Sequence, residues 1–171
     1  TDRNNHSIRR ITQVKQAKCK NEQNYSGFCV TTIAGQAKTG NPGQWFKDGP
    51  GDQAQFDEPV GIAIDSQNHL YITDRMNHSI RKLTPANNAS CGGQPSKTGY
   101  CVTTFAGTGT PGKTDGPSTK AQFNQPFRIV VDKYDNLYVA DQGNDLVRKI
   151  DTKGNVTTLV GGGTEDNANV K

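Results

Sequence analysis

FDEPVGIAIDSQNHLYITDRMNHSIRKLTPANNASCGGQPSKTGYCVTTFAG, residues 56 to 107, is one complete repeat unit, and most of the remaining chain is made of copies of it. Upstream, TDRNNHSIRRIT at 1 to 12 matches TDRMNHSIRKLT at 73 to 84, and CVTTIAG at 29 to 35 matches CVTTFAG at 101 to 107. Downstream, FNQPFRIVVDKYDNLYVADQGNDLVRKIDTKGNVTTLVG at 123 to 161 runs through the same parts in the same order. Self-similarity at a period of tens of residues is the signature of a repeat architecture.

Within the unit, Val60 to Asp65 is a short apolar run and Leu70 to Thr73 a second one, after the turn-like Ser66-Gln67-Asn68. A polar turn, Arg75-Met76-Asn77-His78, leads to a third strand at Ser79 to Leu83. The β-branched and aromatic stretch Cys101 to Ala106 is the fourth. The pattern predicts a four-stranded antiparallel meander. The last unit repeats it at Ile129–Asp132, Leu137–Ala140, Leu146–Ile150 and Val156–Val160, with the compact turn Asp151 to Asn155 where the middle unit has a long loop.

This parse divides the chain into a partial unit at 1–35, a link plus a complete unit at 36–107, another at 108–163, and a tail at 164–171. The links end alike, DGPGDQAQF at 48 to 56 and DGPSTKAQF at 115 to 123. Their Ala54 and Phe56, and Ala121 and Phe123, read as a small residue and an aromatic plugging a fixed slot between neighbouring units.

Between the second and third strands runs Asp-x-x-Asn-x-x-(Ile/Val)-Arg-(Lys/Arg). It occurs as Asp2, Asn5, Arg9, then Asp74, Asn77, Arg81, then Asp141, Asn144, Arg148. Asp and Asn are expected to hydrogen-bond turn backbone, with Asn taking the left-handed conformation. The Arg breaks the alternation of its strand, so a partly buried guanidinium bonded to the Asp or to carbonyls is expected. Recurrence in every unit points to architecture rather than catalysis.

These residues resemble the NHL-repeat family of β-propellers, whose name is spelled at Asn68-His69-Leu70. The resemblance implies an all-β fold: blades of four antiparallel strands set radially, the first strand of each nearest a central channel. Family rings commonly have six blades, and the chain supplies about two and a half. Closing a ring takes about four to eight, so the chain reads as a segment of a longer NHL-repeat protein, or as a subunit completed by another copy.

Four cysteines form two matched pairs, Cys19 with Cys29 and Cys91 with Cys101, at equivalent places in two units. A disulfide within each pair closes a short loop, and local bridges of this kind belong to oxidising compartments. Asn-X-Ser/Thr triplets at Asn24 and Asn88, inside the Cys loops, and at Asn155 agree with an extracellular or cell-surface location carrying N-linked glycans. Asn5 and Asn77 also head such triplets, within the polar turn.

Chemistry is scarce. Propellers related in shape include amidating lyases and calcium-dependent lactonases, which gather His, Asp, Glu or Asn around a metal. Here the only histidines are His6 and His78, one turn position in successive units, and His69, in another turn. They do not converge, and neither a metal site nor a cofactor is expected; Asp65 and Asp132 read as turn residues. Some intracellular family members bind RNA, a reading that would use Arg3, Arg75 and Lys113. The paired cysteines and the net charge of only +4, spread without runs, argue against a nucleic-acid partner. No apolar run is long enough to span a bilayer. The function expected is a non-enzymatic module for protein recognition or structural assembly, with Trp45 and Phe46 in the longest link as partner-binding candidates. A lyase or lactonase completed by other blades, and an RNA binder, are the alternatives.

Overall fold

The computed structural model describes residues 1–13, 24–25, 27–36, 45–86 and 90–162; Cys19, Asn88 and the tail 164–171 lie outside these. The first sheet holds β1 (Ile8–Gln13), β2 (Asn24–Tyr25) and β3 (Phe28–Ala34) in the order β1-β3-β2. The second blade contains β4 (Gly49–Pro50), β5 (Pro59–Ile64), β6 (Leu70–Asp74) and β7 (Ser79–Pro85). Its Cys loop forms a small separate ribbon, β8 (Ser90–Cys91) with β9 (Gln94–Pro95), before the chain returns as β10 (Tyr100–Ala106). The third blade repeats the plan with β11 (Gly116–Pro117), β12 (Pro126–Val131), β13 (Leu137–Asp141), β14 (Leu146–Ile150) and β15 (Asn155–Gly161). All strand pairs in these sheets are antiparallel.

The two complete blades have five strands rather than four. β4, the Gly-Pro of the DGP sequence, pairs with the outer edge of β10 through Pro50 and Cys101, giving the order β4-β10-β7-β6-β5. β11 does the same to β15 through Gly116 and Val156. Each link therefore covers the outer edge of the blade that follows it, and an edge with paired backbone no longer offers open hydrogen bonds to other chains.

Between blades lies the core. Ile8, Ile33 and Ala34 of the first blade meet Ile72, Leu83 and Val102 of the second around Ala54 and Phe56. Tyr71, Ile80 and Ala106 meet Ile129, Leu137, Val139, Ile150 and Val156 around Ala121 and Phe123. The Ala-Gln-Phe triplets are thus the plugs their recurrence predicts. Gly35, Gly107 and Gly161 stand at the ends of the outer strands at φ of 99°, 103° and 104°, and a Cβ on any of them would run into the carbonyl of His6, His78 or Asp145 respectively.

One local expectation is corrected. The left-handed residue of the polar turn is not the Asn but the next one: His6, His78 and Asp145 have φ of 52°, 48° and 55°. Each closes a one-turn 3-10 helix, and the Asn side chain is engaged elsewhere. The link runs from one end of its blade to the other. It starts beside the polar turn, where Asn77 Nδ2 donates to the Trp45 carbonyl, and runs along β10 until Asp52 accepts the Lys97 N–H of the Cys loop at 2.9 Å.

Candidate functional site

The recurrent polar residues build a clamp on the link. Asp74 and Arg81 are fully buried and paired at 2.7 Å. Asp74 Oδ1 accepts the Asp57 N–H, and Oδ2 accepts from Asn77 Nδ2 and Arg81 Nη1. Arg81 Nη1 also donates to the Gln55 carbonyl, and Nη2 donates to the Lys47 carbonyl at 2.9 Å and to Asp48 Oδ1 at 2.6 Å. The guanidinium lies over two rings, 4.8 Å from the Phe46 centroid and 5.0 Å from that of Phe56. Burial pushes the Asp74 carboxyl up, to about 6, against the pull of Arg81, Asn77 and the Asp57 amide.

Around Arg148 the arrangement is the same. Its partners are Asp141 at 3.0 Å, the carbonyls of Gln122 and Thr114, and Asp115 at 2.7 Å. Asp48 and Asp115 tie the clamp to the outer strand, accepting the N–H of Thr104 and Thr158 at 2.9 Å each. These two aspartates were not singled out in the sequence, although each precedes its arginine by the same interval, 33 residues. The guanidinium is more deeply buried and more fully bonded than its position in the strand suggests.

The first blade departs from the pattern. Asp2 still accepts from Asn5 Nδ2, at 3.0 to 3.1 Å, but Arg9 is exposed. In the other blades it is the folded link that covers the arginine, and no described segment lies over Arg9.

A second device joins neighbouring blades. His6 Nδ1 accepts the Glu58 N–H and His78 Nδ1 accepts the Gln125 N–H, both at 3.1 Å. A ring nitrogen that accepts carries no proton, and burial holds the His78 pKa below its usual value. Glu58 receives both Arg3, at 2.5 Å, and Arg75, at 2.8 Å, and Arg75 continues to Gln125. These two arginines, which an RNA-binding reading would need, are committed to a track across three blades.

The turn aspartates form a further series. Asp65 accepts the backbone N–H of Gln67 and His69, bonds His69 Nδ1 at 2.8 Å, and takes the Tyr71 hydroxyl. Asp132 accepts from the backbones of Tyr134 and Asn136, from Asn136 Nδ2 and from the Tyr138 hydroxyl. These donors, Asn136 first, hold the Asp132 carboxyl down at about 2, and similar donors lower Asp65 and Asp151. A carboxylate depressed in the folded state stabilises it above the unfolded value of 3.8, and that contribution is lost as pH falls through the folded value. The melting temperature is therefore expected to drop between about pH 5 and pH 2, and Asp132→Asn to flatten that slope; an unchanged slope in a scanning-calorimetry pH series would contradict this role.

The remaining candidates are placed as follows. Cys91 and Cys101 are bridged, with Cα atoms 5.4 Å apart, and Cys29 is disulfide-bonded too. Phe46 is 41% exposed with one face on Arg81, and Trp45 is half-buried with its ring 5.9 Å from that of His6, so both fold back against the blades. Asn155 is exposed and its Nδ2 donates to Asp151, while Asn77 Nδ2 is engaged by Asp74 and the Trp45 carbonyl. The Asn24 backbone pairs with Cys29. Among the described residues no three His, Cys, Asp or Glu side chains gather as a metal-binding group, and no helix is long and apolar enough to cross a membrane.

Successive antiparallel blades, each of the two complete ones sealed by its own link and plugged against the blade before it, define a propeller-type repeat protein. The NHL repeat model matches residues 56–83, so the middle unit carries an NHL repeat. It is 34% identical over 104 residues to the chloroplastic protein SUPPRESSOR OF QUENCHING 1 of Arabidopsis thaliana, a match covering 61% of the chain and 9% of that protein. Over 116 residues it is 32% identical to human NHL repeat-containing protein 2, covering 66% of the chain and 14% of the relative. It is also 27% identical over 113 residues to a probable peptidyl-alpha-hydroxyglycine alpha-amidating lyase of Caenorhabditis elegans, covering 66% of the chain and 28% of that protein. The chain thus spans a small part of each relative's length. A Bacteroides thetaiotaomicron structure of unknown function superposes with a TM-score of 0.66 at 24% identity, covering 87% of this chain and 30% of that one.

Proposed function

We propose that the chain is a non-catalytic part of an extracellular NHL propeller, a rigid frame that packs against further blades and offers its loops to a protein partner. The observation that carries this reading is the uncovered face of the third blade. Ile80 and Ala106 are 0% and 1% exposed under the third blade, whereas their counterparts Val147 and Val160 are 36% and 61% exposed. With Val130 and Leu159 they form an apolar face of the kind that marks interaction surfaces. The Cys91–Cys101 bridge supports an oxidising compartment, with N-linked glycans proposed at Asn24, Asn88 and Asn155. The repeated Asp, Asn and Arg of the complete blades are occupied in holding links. Rigid presentation of loops favours binding because little ordering remains to be done on contact.

The test is sedimentation equilibrium over a range of chain concentrations. The open face is expected to drive self-association, and Leu159→Glu combined with Val160→Glu, both at exposed positions, to leave monomers. A wild-type chain that stays monomeric throughout would overturn the packing role of this face. The C. elegans relative supports a second reading, a lyase whose site is completed by other blades. Turnover of a peptidyl-α-hydroxyglycine substrate by the full protein would establish it in place of the first.

A further inference from the structure

We infer that the cleft at Arg9 is a receptor for an extended Asp-Gly-Pro segment, supplied by the link of a further NHL unit. The inference rests on the assembly reading above and deepens it by naming the peptide that is recognised. The cleft encloses about 450 Å³ between the polar turn and the outer strand of the first blade, lined by Asn5, His6, Arg9, Thr32 and Gly35 among others. Asn77, His78, Arg81, Thr104 and Gly107 stand at the same places in the second blade, as do Asn144, Asp145, Arg148, Thr158 and Gly161 in the third.

In both of those blades the equivalent space is filled by a link bound through the same atoms. An Asp carboxylate bridges Arg Nη2 and the Thr N–H and hydroxyl: Asp48 to Arg81 and Thr104, and Asp115 to Arg148 and Thr158. The Asn amide donates to a link carbonyl, Trp45 in one blade and Gly112 in the other. Two further carbonyls lie on the guanidinium in each. The first blade offers the same donors, and Arg9 makes no ion pair with a described residue. What fits is an acidic extended peptide with carbonyls spaced as in the two internal examples. A second copy of the chain is not the donor, because its two links are already closed on Arg81 and Arg148.

The probe is a synthetic fluorescent peptide of residues 47 to 56, KDGPGDQAQF, titrated with the intact, oxidised chain and followed by anisotropy. Saturable binding is expected, weakened roughly tenfold or more by Asp48→Asn in the peptide and equally by Arg9→Ala in the protein. The two changes together should cost little more than either alone, the mark of a direct pair. Arg9 is exposed, so its replacement leaves the fold intact. Binding indifferent to Asp48→Asn or to Arg9→Ala, or no saturable binding, overturns the site. A chain that captures the peptide yet stays monomeric keeps this site while overturning self-packing; one that self-associates but ignores the peptide does the reverse.

Discussion

Replacing Arg81 by Met is expected to cost about 3–5 kcal/mol of folding stability, the usual penalty for removing one partner of a buried ion pair. Met fills much of the volume between Phe46 and Phe56 but supplies no donor. Asp74, Asp48 and the carbonyls of Gln55 and Lys47 each lose a hydrogen bond. Asp48 is half exposed and turns to water, so most of the loss comes from Asp74 and the carbonyls. The loss has a pH signature. Asp74 already stands at about 6, and without the guanidinium nothing offsets that part of its burial, so its carboxyl rises further. A raised carboxylate makes the folded state the tighter proton binder, so stability tied to this group increases as pH falls from the folded value towards the unfolded 3.8. Urea unfolding should show the gap between variant and wild type narrowing on mild acidification. A constant gap, or one below about 1 kcal/mol at neutral pH, would mean that the buried pair contributes little.

Phe123→Ala should be comparably severe, at about 3–5 kcal/mol, because it opens a cavity in the centre of the second interblade core. Phe123 is fully buried with Ala121, and its ring lies 5.1 Å from the Arg148 guanidinium, so its removal also uncovers that charge. The neighbours around it belong to two different blades and cannot collapse without shifting one sheet against the other. Phe123→Leu, which keeps most of the volume, should lose much less. Equal losses for Ala and Leu in calorimetry would show that the ring stacking on arginine, rather than the filling of space, is what matters.

The four long strands of each complete blade, the Cys91–Cys101 bridge and the Ala-Gln-Phe plugs are legible in the sequence, because each rests on local pattern or on repetition. What escaped rests on contacts made far along the chain. Gly49-Pro50 has no strand-like pattern and becomes one only through its pairing with β10. Asp48 looks like part of a turn until Arg81 is folded onto it. In the polar turn, Asn77 is the better candidate for a left-handed backbone on intrinsic preference, yet its side chain is held by Asp74 and Trp45, and His78 takes the strained position while its ring reaches Gln125. The exposure of Arg9 could not be read from a motif it shares with two buried arginines, since burial is conferred by the link.

That each link pairs with the last strand of its own blade gives the chain a direction in time. As synthesis proceeds, Gly49 and Pro50 emerge roughly fifty residues before Cys101 and Val102, and such distant pairings form slowly. Until β10 is made, Val102 cannot join the core around Phe56 and Thr104 cannot donate to Asp48. The contacts that seal a blade are therefore the last of that blade to become available, unit after unit along the chain.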